Sequence, residues 1–171
     1  MASLKSKIID VPDWPKKGVI FRDITPLLAD RVAFLDVIDD LTNPFWGEGI
    51  SKVVGIEARG FLLAAPLAYT LDAGLVIVRK RGKLPRETVS GKYALEYGED
   101  ILEMHRDAIQ PEERVLIVDD VLATGGTAKA AVDLVKQLGG VVVGLSFLIE
   151  LLNLNGRDQL KDHKIFSLIS Y

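Results

Sequence analysis

A three-layer α/β domain, with a largely parallel central sheet flanked by helices, is the fold class that this sequence of 171 residues predicts. Two observations carry it. Short runs rich in β-branched residues recur near Val53, Leu75, Val115, Val141 and Ile165, separated mainly by stretches with helical spacing. Several of these runs are apolar without alternation, as strands buried on both faces are. The length suits one domain spanning residues 1–171, and 49% hydrophobic residues can build a core for it.

The elements follow in order. In residues 1–28, Pro12, Pro15 and Gly18 precede Phe21 and the pair Arg22-Asp23, which predicts an extended, irregular piece. Taken alone, Phe21 suits a core and Arg22 with Asp23 a surface ion pair. Residues 31–41 place Val32, Leu35, Ile38 and Leu41 near helical spacing behind Asp30, a natural cap, and read as a packing helix. Residues 43–49, with Pro44 and two glycines, break it before the short buried strand 53–56. A loop at residues 57–60 leads into a helix of small and apolar residues, about 60–71.

Strand 75–78 runs into RKRGKLPRE, where Arg79, Lys80, Arg81, Lys83 and Arg86 crowd together. Residues 88–103 alternate around a Tyr-Gly turn and predict a hairpin-like flap, a common device for keeping water from a reaction. After strand 115–118 comes an amphipathic helix, 127–138, stopped by Gly139-Gly140. A long buried strand at 141–149, a polar turn or short helix within 153–162 and a last strand at 165–169 complete the chain.

Composition excludes several functions. There is no cysteine, so disulfides, thiolate metal sites and cysteine nucleophiles are ruled out, and a reducing compartment is compatible. The start, MASLKSKIIDVPDWP, lacks the apolar core of a signal peptide, and no apolar run could span a bilayer, so a soluble cytoplasmic protein without membrane partners is expected. A net charge of −3 argues against a general nucleic-acid surface, so any polyanion site must be local. His105 and His163 stand without ligand spacing, and no metal site made of protein side chains is visible.

The chain is organised around residues 115–127, VLIVDDVLATGGT: an apolar strand, two adjacent acids, then a small-residue turn opening a helix. A helix N-terminus carries unpaired N–H groups and partial positive charge, and glycines there let a phosphate approach the main chain. Ala123, Thr124, Gly125, Gly126 and Thr127 therefore form a candidate phosphate cradle. A phosphate would not want carboxylates beside it, so Asp119 and Asp120 should face something else. Vicinal ribose hydroxyls fit, because an ionised carboxylate accepts strong hydrogen bonds from them. The Walker and dinucleotide spacings are both absent. At residues 57–60, also at a strand's carboxyl end, Arg59 at a helix start opposes the helix dipole; pairing with Glu57 or contact with a bound anion would each resolve the conflict.

VLIVDDVLATGGT resembles the phosphoribosyl-diphosphate (PRPP) signature of the type I phosphoribosyltransferases, and nearly the whole chain is similar to the adenine phosphoribosyltransferases. GVIFRDITPLL resembles their base-binding hood, RGF their pyrophosphate loop and LEYG their flap tip. Lys17 stands where the family commonly has proline. The resemblance implies a type I phosphoribosyltransferase fold with an N-terminal hood (about residues 1–30) and a flexible flap (about 82–104) over the sheet's carboxyl edge. It implies that adenine and PRPP give AMP and pyrophosphate, with Mg²⁺ carried by PRPP, in a homodimer.

It also implies roles by position. Ile20, Phe21 and Arg22 would bind adenine, an aromatic face offering a base about 1–3 kcal/mol of stacking. Asp119 and Asp120 would hold the ribose, and residues 123–127 the 5'-phosphate. Glu57, Ala58, Arg59, Arg79, Lys80 and Lys83 would meet the pyrophosphate, with Arg59 acting in catalysis. Glu96 would handle a purine proton while Tyr97 closes the site. A 6-oxopurine phosphoribosyltransferase, and a regulator that only senses PRPP, are the competing readings; the hood disfavours the first and the intact flap and basic loop the second.

Overall fold

The computed structural model describes residues 2–95 and 98–171. Contacts divide the chain into one unit ending at Asp40 and one running from Leu41 to Tyr171. The first holds helix α1 (Ala2–Lys5), strands β1 (Ile9–Pro12) and β2 (Ile20–Asp23), helix α2 (Thr25–Ala29) and most of helix α3 (Arg31–Thr42).

The expected irregular opening is thus partly ordered. β1 and β2 pair antiparallel, with Asp10 opposite Arg22 and Pro12 opposite Ile20. Pro12 ends its strand, where its missing N–H costs the ladder least. Arg22 pairs with Asp10 across the ladder. Asp23 accepts from the Thr25 N–H at 2.9 Å and from its hydroxyl at 3.0 Å. Asp30 caps α3 through the N–H groups of Val32 (3.1 Å) and Ala33 (2.9 Å). The buried stripe of α3 is Ala33, Val37, Ile38 and Leu41, while Val32 and Leu35 are more than half exposed. The stripe keeps Ile38 and Leu41 of the expected set and has Ala33 and Val37 in place of Val32 and Leu35.

The second unit is built on a seven-stranded sheet: β3 (Lys52–Ile56), β4 (Gly74–Lys80), β5 (Thr88–Leu95), β6 (Gly98–His105), β7 (Arg114–Leu122), β8 (Val141–Glu150) and β9 (Ile165–Ser170). Their order across the sheet is β5-β6-β4-β3-β7-β8-β9. The five from β4 to β9 run parallel, and the hairpin β5–β6 joins the β4 edge antiparallel.

Helix α4 (Gly60–Thr70) links β3 to β4 and helix α5 (Gly126–Gln137) links β7 to β8, in opposite directions along the sheet. Right-handed crossovers therefore place them on opposite faces. Side chains agree with this layering. Val54, Ile56, Ile117 and Phe147 share a buried cluster with Ala131, Val132 and Val135 of α5. On the other face, a Cβ at Gly55 would come within 2.7 Å of Ala64 Cβ on α4. The hairpin also lies on α5, since a Cβ at Gly91 of β5 would sit 3.3 Å from the Ala130 carbonyl oxygen. Two 3₁₀ turns, Leu152–Leu154 and Gly156–Leu160, connect β8 to β9.

Candidate active site

Each candidate loop of the second unit leaves a parallel strand at its carboxyl end, where open α/β sheets bind ligands. β7 runs past both acids to Leu122, so Asp119 and Asp120 belong to the strand rather than following it. The loop then turns through Gly125, whose φ of +86° is left-handed, into α5. Asp119, Val121, Ala123, Thr124, Gly125 and Thr127 line a small cavity of about 60 Å³ at this junction. The first N–H groups of a helix have no partner within it, and Thr127 and Ala128 of the first turn of α5 line that cavity.

A segment that sequence reasoning did not single out backs this loop. A Cβ on Gly125 would lie 2.3 Å from the Gly156 carbonyl oxygen, and one on Gly156 would lie 2.3 Å from that of Ala123. Main chain thus packs directly against main chain. The next residue, Arg157, fastens the segment to β8 through two 2.7 Å bonds to the carboxylate of Glu150. The Asn-Gly pair at 155–156 signalled a turn, but nothing in it signalled this partner.

The acids are packed tightly. Asp119 Oδ1 accepts the Asp120 N–H at 2.9 Å, and Arg59 Nη2 stands 2.7 Å from Asp120 Oδ2. Asp120 is thus a partner of Arg59 that was not among the two expected for it, Glu57 and a bound anion. Burial, and then the charge of Asp120, push the Asp119 carboxyl well above its ordinary range. Burial also raises Asp120, with Arg59 opposing the shift. Gly60, which opens α4, makes room for them: a Cβ there would lie 2.7 Å from Asp119 Oδ1. This close approach brings the β3–α4 loop against the two acids.

In that loop the Glu57–Ala58 peptide bond is cis. The Glu57 carboxylate gathers the basic run, accepting from Lys83 Nζ at 2.7 Å, the Lys80 N–H at 2.9 Å and Arg79 Nε at 3.2 Å. Burial alone would raise this carboxyl, yet the three donors outweigh it and hold it at about 2. Arg86 stands apart from this group, paired with Asp107.

A depressed carboxyl contributes stability that is complete above its unfolded value of about 4.5 and disappears as pH falls toward 2. After allowance for solvent around the half-exposed Lys83, this amounts to about 1–2 kcal/mol. Denaturant unfolding should therefore show wild type more stable than Glu57→Gln by that amount at pH 6. The gap should close by pH 2, and a gap independent of pH would contradict the assignment.

Ile20, Phe21 and Arg22 lie on β2 in the first unit, where Trp14 meets the Phe21 ring edge-on at 4.3 Å. Glu96 and Tyr97 fall outside the described residues. Among the described residues no group of three or more His, Cys, Asp or Glu could hold a metal ion, and no helix is long and apolar enough to cross a membrane.

Residues 29–170 match the family described as phosphoribosyl transferase domain. The chain is 57% identical over its full length, and over all of the relative, to the adenine phosphoribosyltransferase of Geobacter metallireducens. The chain belongs to the adenine phosphoribosyltransferase family. The solved member from Rhodothermus marinus superposes with a TM-score of 0.97 at 51% identity, covering 99% of this chain and 97% of that one. The Saccharomyces cerevisiae adenine phosphoribosyltransferase, complexed with D-2,5-dideoxy-2,5-imino-altritol 1,6-bisphosphate and adenine, superposes at 0.92 with 39% identity over 98% of this chain and 97% of that one. The type I phosphoribosyltransferase fold expected from the PRPP signature is the fold observed, with the two-stranded β1–β2 sheet as an N-terminal addition.

Proposed function

We infer that this protein transfers the 5-phosphoribosyl group of PRPP to adenine, giving AMP and pyrophosphate. The observation that carries the reading is the β7–α5 junction, where paired carboxylates adjoin a phosphate-sized cradle, in a chain alike from end to end to adenine phosphoribosyltransferases. The adenine and the bisphosphate imino-sugar held by the yeast relative support the same substrate pair here.

The residues divide the work. Asp119 and Asp120 hold the ribose hydroxyls and fix the sugar's orientation. The N–H groups and hydroxyls of residues 123–127 hold the 5'-phosphate. As the bond from C1' to pyrophosphate breaks, the ribosyl centre gains positive charge and the departing group negative charge, so positioning and electrostatics supply most of the catalysis. The main chain of Glu57 and Ala58, with Arg59, Arg79, Lys80 and Lys83, receives the pyrophosphate. The Glu57 carboxylate serves this group by holding its cations. Adenine N9 closes the new bond and gives up its proton, which Glu96 takes or relays while Tyr97 helps to exclude water. Ile20, Phe21 and Arg22 bind the base.

Asp119 and Asp120 set two carboxyl groups side by side at this junction, with Arg59 beside Asp120 Oδ2, and oxygen donors of this kind suit a substrate that carries a divalent cation. Mg²⁺ bound with PRPP would neutralise charge on the leaving group and ribose side. Family membership and the substrates, which are made inside cells, support a homodimer in the cytoplasm.

Purified protein with PRPP and Mg²⁺ should form nucleotide from adenine, and little or none from hypoxanthine, guanine or xanthine offered singly. Preference for hypoxanthine would replace this reading with a 6-oxopurine enzyme, and no turnover with retained PRPP binding would indicate a sensor. Thr124→Ala and Thr127→Ala should each weaken PRPP binding by about 1.5–3 kcal/mol, the worth of a hydrogen bond to a charged group. Unchanged affinity in both would place the phosphate elsewhere.

A further inference from the structure

The turn at residues 79–83 concentrates like charge, with Arg79, Lys80, Arg81 and Lys83 within five positions. Mutual repulsion opposes any single arrangement of such a turn. Two carboxylates from different strands oppose that repulsion. Glu57, at the carboxyl end of β3, holds the Arg79 and Lys83 side chains, and Arg79 Nη1 also donates to the Lys83 carbonyl oxygen at 3.2 Å. Glu103 approaches from β6. Only 8% exposed, it accepts the N–H of Gly82 at 2.9 Å.

Gly82 has φ of +79°, a conformation that favours glycine, so the backbone itself aims this N–H at the carboxylate. β6 adds further ties. Glu103 faces Arg79 in the antiparallel register, and the Arg81 N–H donates to the Ile101 carbonyl oxygen at 3.0 Å. A nearly buried carboxylate is costly unless its bonds are needed, and here the bond is spent on the main chain of the most cationic turn in the molecule.

We propose that Glu103 is a positioning residue for the pyrophosphate of PRPP, fixing the 79–83 turn from the flap strand so that its cations stand in place before the ligand arrives. The proposal rests on the reading above and deepens it. Glu103 acts through the Gly82 main chain, tying the β5–β6 hairpin to the loop that receives the leaving group. A binding-ready turn spares the ligand the ordering cost of flexible side chains. Its loss should therefore fall on PRPP and pyrophosphate and spare adenine.

Calorimetric binding of Mg²⁺-PRPP and Mg²⁺-pyrophosphate, together with steady-state kinetics, tests this in wild type, E103A and E103Q. E103A should raise the pyrophosphate Kd and the KM for PRPP about tenfold, the effect of losing one charge-assisted bond, and leave the KM for adenine within about twofold. E103Q keeps an acceptor oxygen for the Gly82 N–H but not the charge, and should recover only part of the loss. Wild-type pyrophosphate affinity in E103A, or an equal rise in both KM values, overturns the proposal. Failure of the wild type itself to bind PRPP would instead overturn the enzyme reading on which it rests. Should E103A not fold, E103D, one methylene shorter, must show the same PRPP-selective shift at smaller size; its absence overturns the proposal equally.

Discussion

Gly125→Ala is expected to cost the protein both stability and its grip on PRPP. The residue sits at φ +86°, where a side chain costs about 1–2 kcal/mol. Its new Cβ would also lie 2.3 Å from the Gly156 carbonyl oxygen, a backbone atom that no rotamer change can move. Relief requires the cradle or the 156–160 turn to shift, and Arg157 anchors that turn to Glu150. We expect a loss of about 2–4 kcal/mol in denaturant unfolding, in the range of the larger single-residue effects. The KM for PRPP should rise about 100-fold, the equivalent of losing two phosphate contacts. The KM for adenine should change far less. Gly156→Ala, which pushes on the Ala123 carbonyl oxygen from the other side, should act alike. A Gly125→Ala protein with wild-type PRPP kinetics would show that the cradle does not hold the phosphate.

Asp119→Asn should separate activity from stability in opposite directions. Burial and the neighbouring charge of Asp120 raise the Asp119 carboxyl, so its ionised form is disfavoured in the folded protein relative to the unfolded chain. That cost is absent below the unfolded value of 3.8 and grows as pH rises through the folded value. Asparagine removes the charge and keeps an oxygen that can accept the Asp120 N–H. The variant should therefore unfold at a higher temperature than wild type at neutral pH, with the advantage vanishing in acid. It should also lose about 100-fold in kcat/KM for PRPP, because a neutral amide holds ribose hydroxyls less strongly than a carboxylate. A variant that is both less stable and fully active would refute the assignment of Asp119 as a charge kept for its ligand.

These two residues mark what could be read in the sequence and what could not. The strand–acids–turn–helix order of residues 115–127 is local, and local order survives folding: α5 begins one residue before Thr127 and β7 ends at Leu122. The buried strands were legible for the same reason, since unbroken β-branched runs leave few alternatives. Partners distant in sequence were not. Gly156 against Gly125, Arg157 with Glu150, and Arg59 with Asp120 depend on how loops meet after the sheet forms. β1 and β2 were hidden because prolines at 12 and 15 reduce the pattern to four residues a strand, too short for periodicity. On α3, Ile38 and Leu41 were legible as core, whereas small Ala33 is buried where larger Val32 and Leu35 are exposed, because side-chain size alone does not say which face packs.

The close seating of Gly91 on α5 bears on how the enzyme can be rebuilt. Strand β5 of the hairpin rests on α5, with Leu134 Cγ 3.3 Å from where a Cβ at Gly91 would be. Exchanging the β5–β6 hairpin between family members is thus a two-piece graft. A hairpin taken from a relative should be moved together with the matching face of α5, including positions 130 and 134, or the imported segment will sit on a seat cut for another.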